Sequence, residues 1–305
     1  MILNASGCLD ALTAPDVARE LDAFVTKTVT PLPREGNAPV RIAEADTGML
    51  NSIGLANPGI DGFIADVLPR LLELGPPVWV SVGGFAPNEY ARLCARLDET
   101  AAAAIELNLS CPNVAAPEGE AAEIVAAARA ATGKVLYAKL SPALPDVAAV
   151  ALRAAAAGVD GLSLVNTIRG LALDPAALTP RLSTATGGLS GPALRPIALA
   201  AVHACYRETG LPIVGMGGVE TGRHALELIA VGASAVALGT VLFADPGAPA
   251  RVRRELAAEA GRCGFDHPSS ARGVAHEPAG TDIADAVGGP DNAARERSVP
   301  VRLKL

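Results

Sequence analysis

The chain has 305 residues, 50% of them hydrophobic and 19% charged, with a net charge of -7. This composition supplies enough apolar surface for a large core and excludes global disorder. The acidic balance excludes a general attraction to nucleic acid or anionic membranes, so an anionic ligand must be held by a few local donors.

In chain order, short runs rich in Val, Ile and Leu occur at 1–6, 24–29, 78–83, 105–110, 135–140, 161–167, 213–218 and 235–243, and each is expected to form a strand. The segments 60–74, 87–100, 121–132, 147–158, 192–210 and 221–232 carry the Ala, Leu, Glu and Arg content of helices. Strands alternating with helices imply a parallel sheet, and eight of them with right-handed crossovers close as an α/β (β/α)8 TIM barrel over residues 1–266. Two polar stretches, 30–58 and 168–191, follow strand ends and read as active-site loops. Residues 267–305 lack periodicity and read as a mobile, polar C-terminal extension.

No run reaches the roughly 18 apolar residues of a membrane span, and no signal-peptide pattern opens the chain. Cys8, Cys94, Cys111, Cys205 and Cys263 are scattered and include no Cys-x-x-Cys pair. That argues against a disulfide framework, a metal site or an iron-sulfur cluster in this chain, and suits a cytoplasmic protein.

Polar and glycine residues gather at the expected strand ends, where barrel enzymes place their chemistry. They are NASG (4–7), TKT (26–28), NLSCPN (108–113), AKLSP (138–142), VNT (165–167), GMGG (215–218) and LGT (238–240). GMGG precedes a helix expected to start near Thr221, and Gly239 and Thr240 end the next strand; together they offer backbone N–H groups to a phosphate. Close packing of helix on strand would also use such glycines. Lys27 and Lys139 end apolar strands, so each either reaches solvent or answers a fixed negative charge. Asn108 and Asn113 flank Cys111 and can satisfy both donors and acceptors of an imide or amide ring. A thiol of ordinary pKa, about 8.5, can serve there as a base, although a cysteine can also be a small buried residue. His203, His224, His267 and His276 fall on helices or the tail and receive no catalytic role.

Together with MLNSIGL, LANPG and TGGLSGPA, these motifs occur in the order found in the class 1 dihydroorotate dehydrogenases, and the chain resembles that family from Met1 to about Phe243. The resemblance implies an FMN-containing barrel that oxidises dihydroorotate to orotate in pyrimidine biosynthesis. Residues matching the family's FMN site are Ser6, Lys27, Thr28, Asn108, Lys139, Val165, Gly191, Gly217, Gly218, Gly239 and Thr240. Those matching its substrate site are Lys27, Asn51, Ser52, Ile53, Gly54, Leu55, Asn108, Asn113, Asn166 and Thr167. Cys111 matches the base that removes the proton from carbon 5, with the hydride of carbon 6 passing to the flavin on the other side of the substrate.

AKLSP, VNT followed by IRG, and GMGG look most like class 1B, whose catalytic chain works with a subunit carrying FAD and an iron-sulfur cluster and delivers electrons to NAD. A heterotetramer is implied by that branch, a homodimer using fumarate by class 1A. The sequence departs from the pattern in three places. No barrel-floor hairpin precedes the first strand, Ser81 stands where class 1B has an asparagine, and the tail has no recognisable counterpart. A dihydropyrimidine dehydrogenase-like reductase, or a non-catalytic FMN-binding barrel paralogue, are the competing readings.

Overall fold

The computed structural model describes residues 1–109 and 120–276. Eight parallel strands form the barrel: β1 (Ile2–Asn4), β2 (Phe24–Val25), β3 (Val78–Val82), β4 (Ala104–Asn108), β5 (Val135–Leu140), β6 (Gly161–Leu164), β7 (Ile213–Met216) and β8 (Ala235–Leu238). The pairing order is β1-β8-β7-β6-β5-β4-β3-β2. A single parallel bridge, Leu3 to Ala23, returns β2 to β1.

That seam is short of backbone pairing, and the buried Asn4 side chain makes up the difference. Its Nδ2 donates to the Val25 carbonyl at 2.7 Å while its Oδ1 accepts from Val25 N–H at 2.8 Å. One side chain thereby performs the exchange that a ladder pair would make.

Helices Pro87–Asp98, Glu120–Ala131, Val147–Ala157, Arg195–Thr209, Gly222–Ala230 and Ala248–Arg262 surround the strands. The outward residues of the strands, such as Val80, Ile105, Leu107, Leu136 and Leu162, are buried beneath the helices. Strands covered on both faces read as near-continuous apolar runs, which is why they are visible in the sequence. Inside the barrel, Leu3, Val25, Val214, Met216, Ala235 and Ala237 pack with Trp79 and Tyr137, whose ring centroids lie 4.6 Å apart. The Tyr137 ring occupies the space a side chain would need at position 161, so that position must be glycine.

Four expectations are corrected. The last strand ends at Leu238, and Val241–Ala244 is a short helix rather than the end of a 235–243 strand. Helix Ala248–Arg262 was not among the expected helices. The stretches 30–58 and 168–191 are not plain loops. They supply strands Ile42–Ala45, Gly48–Asn51, Ile168–Leu171 and Thr186–Ser190, which pair antiparallel as a four-stranded sheet.

The fourth correction concerns the segment after 266, expected to be mobile. Pro268–Ala271 and Val274–His276 are 3-10 turns with Ala271 fully buried. Arg272 Nε donates to the Gly232 carbonyl at 2.9 Å, and the His276 ring stacks on His203 at 4.0 Å. Folded structure thus continues through 276, while residues 277–305 lie outside the described residues. Among the described residues, no helix is long and apolar enough to cross a membrane.

Candidate active site

The carboxyl ends of the strands open into a cavity of about 710 Å³, within the roughly 300–1,000 Å³ range of small-molecule sites. Ser6, Lys27, Thr28, Asn108, Lys139, Val165, Gly191, Gly217, Gly218, Gly239 and Thr240 all line it, as do Asn51, Ser52, Ile53, Gly54, Leu55, Asn166 and Thr167. Cys111 and Asn113 fall in 110–119, outside the described residues.

The glycines converge at one side. Gly217 and Gly218 have φ of 126° and 69°, left-handed values that favour glycine. A Cβ at Gly218 would stand 2.9 Å from both the Gly191 carbonyl oxygen and the Arg195 nitrogen. Chain segments after β6 and β7 therefore meet at backbone distance. Thr221 caps helix Gly222–Ala230, its hydroxyl accepting from His224 N–H at 3.3 Å. Thr240 donates to the Ser190 hydroxyl at 2.8 Å. Gly239 differs, because a Cβ there would meet Ala5 and Cys8 at 3.6 Å, an ordinary contact.

The two lysines occupy the cavity wall. Lys139, 5% exposed, lies 3.8 Å through Nζ from Glu106 Oε1. Lys27 sits against Gly7, where a Cβ would be 3.1 Å from its Nζ. Burial pushes the Lys27 ammonium below its usual pKa; the negative charge Cys8 would carry on ionising works against that shift and Lys139 adds to it. Burial raises the Cys8 thiol in turn, with both lysines opposing.

Between the lysines runs a hydroxyl and amide chain. Asn108 Nδ2 donates to Thr28 Oγ1 at 3.1 Å, and Asn166 Nδ2 reaches Asn108 Oδ1 at 3.4 Å. Tyr90 OH donates to the Asn108 carbonyl at 2.8 Å, fixing the end of β4 from behind. Ser81 is fully buried and lies 3.1 Å from Thr28 Oγ1, so it supports a cavity residue instead of lining the cavity. Over this floor stands the antiparallel sheet, which carries Asn51 and, at the start of the 168–171 strand, follows directly on Asn166 and Thr167.

Several cavity residues escaped the sequence reading, among them Cys8, Arg34, Phe85, Arg169 and Glu220. Cys8 follows NASG directly, which was a usable signal. Arg34 and Arg169 come from the long loops, whose folding no local pattern shows.

The family model described as dihydroorotate dehydrogenase matches residues 1–259. The chain belongs to the dihydroorotate dehydrogenase family. Among its relatives is the protein of Desulforudis audaxviator named dihydroorotate dehydrogenase B (NAD(+)), catalytic subunit, 44% identical over 268 residues that cover 85% of this chain and 87% of that one. The identically named protein of Listeria monocytogenes is 41% identical, covering 80% of this chain and 84% of its own length. The crystal structure of ligand-free DHODH from Eimeria tenella superposes with a TM-score of 0.77 at 26% identity, over 90% of this chain and 89% of that one. This membership makes the chain an oxidoreductase of a flavin-dependent family.

The residues present suit a flavin nucleotide. Glycines whose backbone conformations exclude other residues stand at the ends of β7 and beyond, beside a capped helix start, as an anion requires. Lys139 makes no hydrogen bond through Nζ among the described residues and has donors to offer an acceptor-rich ring edge.

Proposed function

We propose that this chain oxidises dihydroorotate to orotate with a bound FMN, as a catalytic subunit of the class 1B type. The observation that carries the reading is that every described residue expected to hold cofactor or substrate lines one cavity, at the end of the barrel where such enzymes work.

In this reading Gly217, Gly218, Gly239, Thr240 and Gly191 surround the cofactor phosphate, and Ser6, Thr28, Asn108, Val165, Lys27 and Lys139 border its ring. When bound, FMN supplies the acceptor for the substrate's hydride. Asn51, Asn108, Asn113, Asn166 and Thr167 satisfy the amide edges of the substrate ring, while Ser52, Ile53, Gly54 and Leu55 close over it. Lys27 offsets the substrate carboxylate, and that carboxylate in turn favours the ammonium form that burial works against. Cys111 takes the carbon 5 proton as the carbon 5 to carbon 6 double bond forms, so the proton and the two electrons leave by separate routes.

The electrons then need an outlet. The relatives' name, catalytic subunit of an NAD(+) enzyme, supports a partner subunit; the class 1B resemblance implies that it carries FAD and an iron-sulfur cluster, in a heterotetramer. The isolated chain should accordingly reduce NAD slowly.

Anaerobic mixing with dihydroorotate is the direct test, read as bleaching of flavin absorbance. A yellow protein that bleaches with dihydroorotate, and that when reduced does not pass electrons to uracil, supports the reading over a dihydropyrimidine reductase. A protein that binds FMN and stays yellow with dihydroorotate would overturn it, as rapid NAD reduction by the chain alone would overturn the partner.

A further inference from the structure

Below the cavity, inside the barrel, lies a carboxylate to which the proposed chemistry gives no part. Glu106 is 1% exposed, and its Oε1 makes no hydrogen bond among the described residues. At 3.8 Å from Lys139 Nζ it is close enough for ion pairing but beyond hydrogen-bond length. The two residues are on neighbouring strands, β4 and β5, where Glu106 is in register with Tyr137 and Asn108 with Lys139. On the far side of β5, Ser163 is in register with Lys139, and its buried hydroxyl also has no hydrogen-bond partner among the described residues.

Stability does not explain this arrangement. Removing two charges from water costs several kcal/mol per ion, and a packed apolar pair of similar volume is often as stable or more so. The neighbouring interior positions show that this barrel can be filled that way, with Val25, Met216 and Ala237. A charge pair retained there with incomplete hydrogen bonding fits a role in setting charge at the cavity wall, since Lys139 is the member that reaches it.

We infer that Glu106 is a positioning residue that acts through Lys139, directing its ammonium and cancelling most of its charge as felt by the flavin ring. This inference rests on the flavin reading above. A reduced flavin carries more negative charge than an oxidised one, so an uncompensated ammonium beside it favours reduction, whereas a compensated one favours it less. Glu106 thus keeps the bound flavin from being held in its reduced form, which suits a chain that must pass its electrons on.

The test is the reduction potential of the bound flavin at pH 7, measured against reference dyes. Glu106→Gln keeps the shape and removes the negative charge. The equilibrium constant for two-electron reduction should rise on the order of tenfold, about 30 mV, with FMN still bound. In a Lys139→Gln background the same substitution should add no such rise, whereas a merely structural role would move both backgrounds alike. An unshifted potential in Glu106→Gln, or an equal rise without Lys139, overturns the inference.

If Glu106→Gln does not fold, Glu106→Asp keeps the charge but draws it back by one methylene from the Lys139 ammonium, so the equilibrium constant for flavin reduction should rise about threefold, roughly 15 mV, with FMN still bound. A Glu106→Asp protein with the parent's potential overturns the inference. A parent that takes up no flavin overturns the functional reading itself, whereas a flavin-bearing parent with unshifted variants overturns this inference alone.

Discussion

Asn51 donates through Nδ2 to the Gly188 carbonyl oxygen at 3.2 Å, joining residues 137 positions apart in the chain. The bond ties strand Gly48–Asn51 to strand Thr186–Ser190, which also pair through their backbones. Two loops from distant parts of the barrel therefore form one cover, and Asn51 lines the cavity from within it.

The cover has its own small core, in which Leu50, 1% exposed, packs with Ala43 and Leu182. Leu50→Ala should destabilise the cover by roughly 2–5 kcal/mol, the range for truncating a buried leucine. The barrel core is separate and should be little affected. Hydrogen exchange should accelerate in Ile42–Ala45 and Gly48–Asn51 while β4 to β7 keep their protection, and the KM for dihydroorotate should rise several-fold. Uniformly faster exchange across the barrel would show that the cover is no independent unit.

Of the glycines around the proposed phosphate site, Gly239 offers the cleanest experiment. At Gly218 a side chain meets backbone from Gly191 and Arg195 and a left-handed φ, so Gly218→Val would distort the chain as well as block a ligand. A Cβ at Gly239 makes only ordinary contacts with Ala5 and Cys8, both cavity residues. Gly239→Val should therefore fold, with apo-protein melting within a few degrees of the parent, yet lose most of its FMN. Full FMN occupancy in this variant would place the phosphate elsewhere.

The β1–β2 seam should be sensitive to acid. Asp22 accepts from Ile2 N–H at 2.7 Å and binds Arg253 at 2.9 Å. Burial raises its pKa, but the hydrogen bonds from Arg253 and Ile2, with the Arg253 charge, outweigh that and leave the carboxyl below its ordinary value. A depressed folded pKa gives stability that is present above the unfolded value, about 3.9, and is lost as pH falls through the folded one. Asp22→Asn should lower the melting temperature at pH 7 on the order of 2 °C, as about 1 kcal/mol does in a chain of this size. The gap between variant and parent should close as pH drops below about 4. A gap that is the same at acid and neutral pH would remove the carboxylate charge as its cause.

The residues show why some of this was legible in the sequence. The barrel strands are buried on both faces and stand out as apolar runs, and Lys27 and Lys139 were conspicuous as charges ending them. The cover was hidden because Thr186–Ser190 reads TGGLS, a loop by composition. Gly187 is required there by packing, since a Cβ would lie 2.6 Å from the Asn51 carbonyl oxygen of a strand far away in the chain. The overrun of the eighth strand has a local cause: VLFA is as apolar as a strand, and a short apolar run does not distinguish strand from helix. Glu106 stood in plain view inside IELNL as a carboxylate within an apolar strand. Its importance appeared only once β4 and β5 were side by side.

Cys111 carries the sharpest consequence of the functional reading. It lies outside the described residues, two positions after Leu109, whose N–H donates to the Lys139 carbonyl at 3.1 Å where β4 leads to the cavity mouth. Burial pushes the Cys94 and Cys205 thiols up to about 12, which suits inert core residues. Cys111→Ala should leave FMN bound, because the residues proposed around the flavin, Asn108 excepted, belong to other strand ends, and should slow flavin reduction by dihydroorotate on the order of 100 to 10,000-fold, the range for losing a positioned base. Cys111→Ser should recover part of the rate only at raised pH, since a hydroxyl gives up its proton less readily than a thiol. A structural cysteine would give the opposite pattern, with lowered stability and near-normal reduction in the protein that folds. Stopped-flow bleaching of the Ala variant within about threefold of the parent, far short of that range, would remove Cys111 from the mechanism and require another base for the carbon 5 proton.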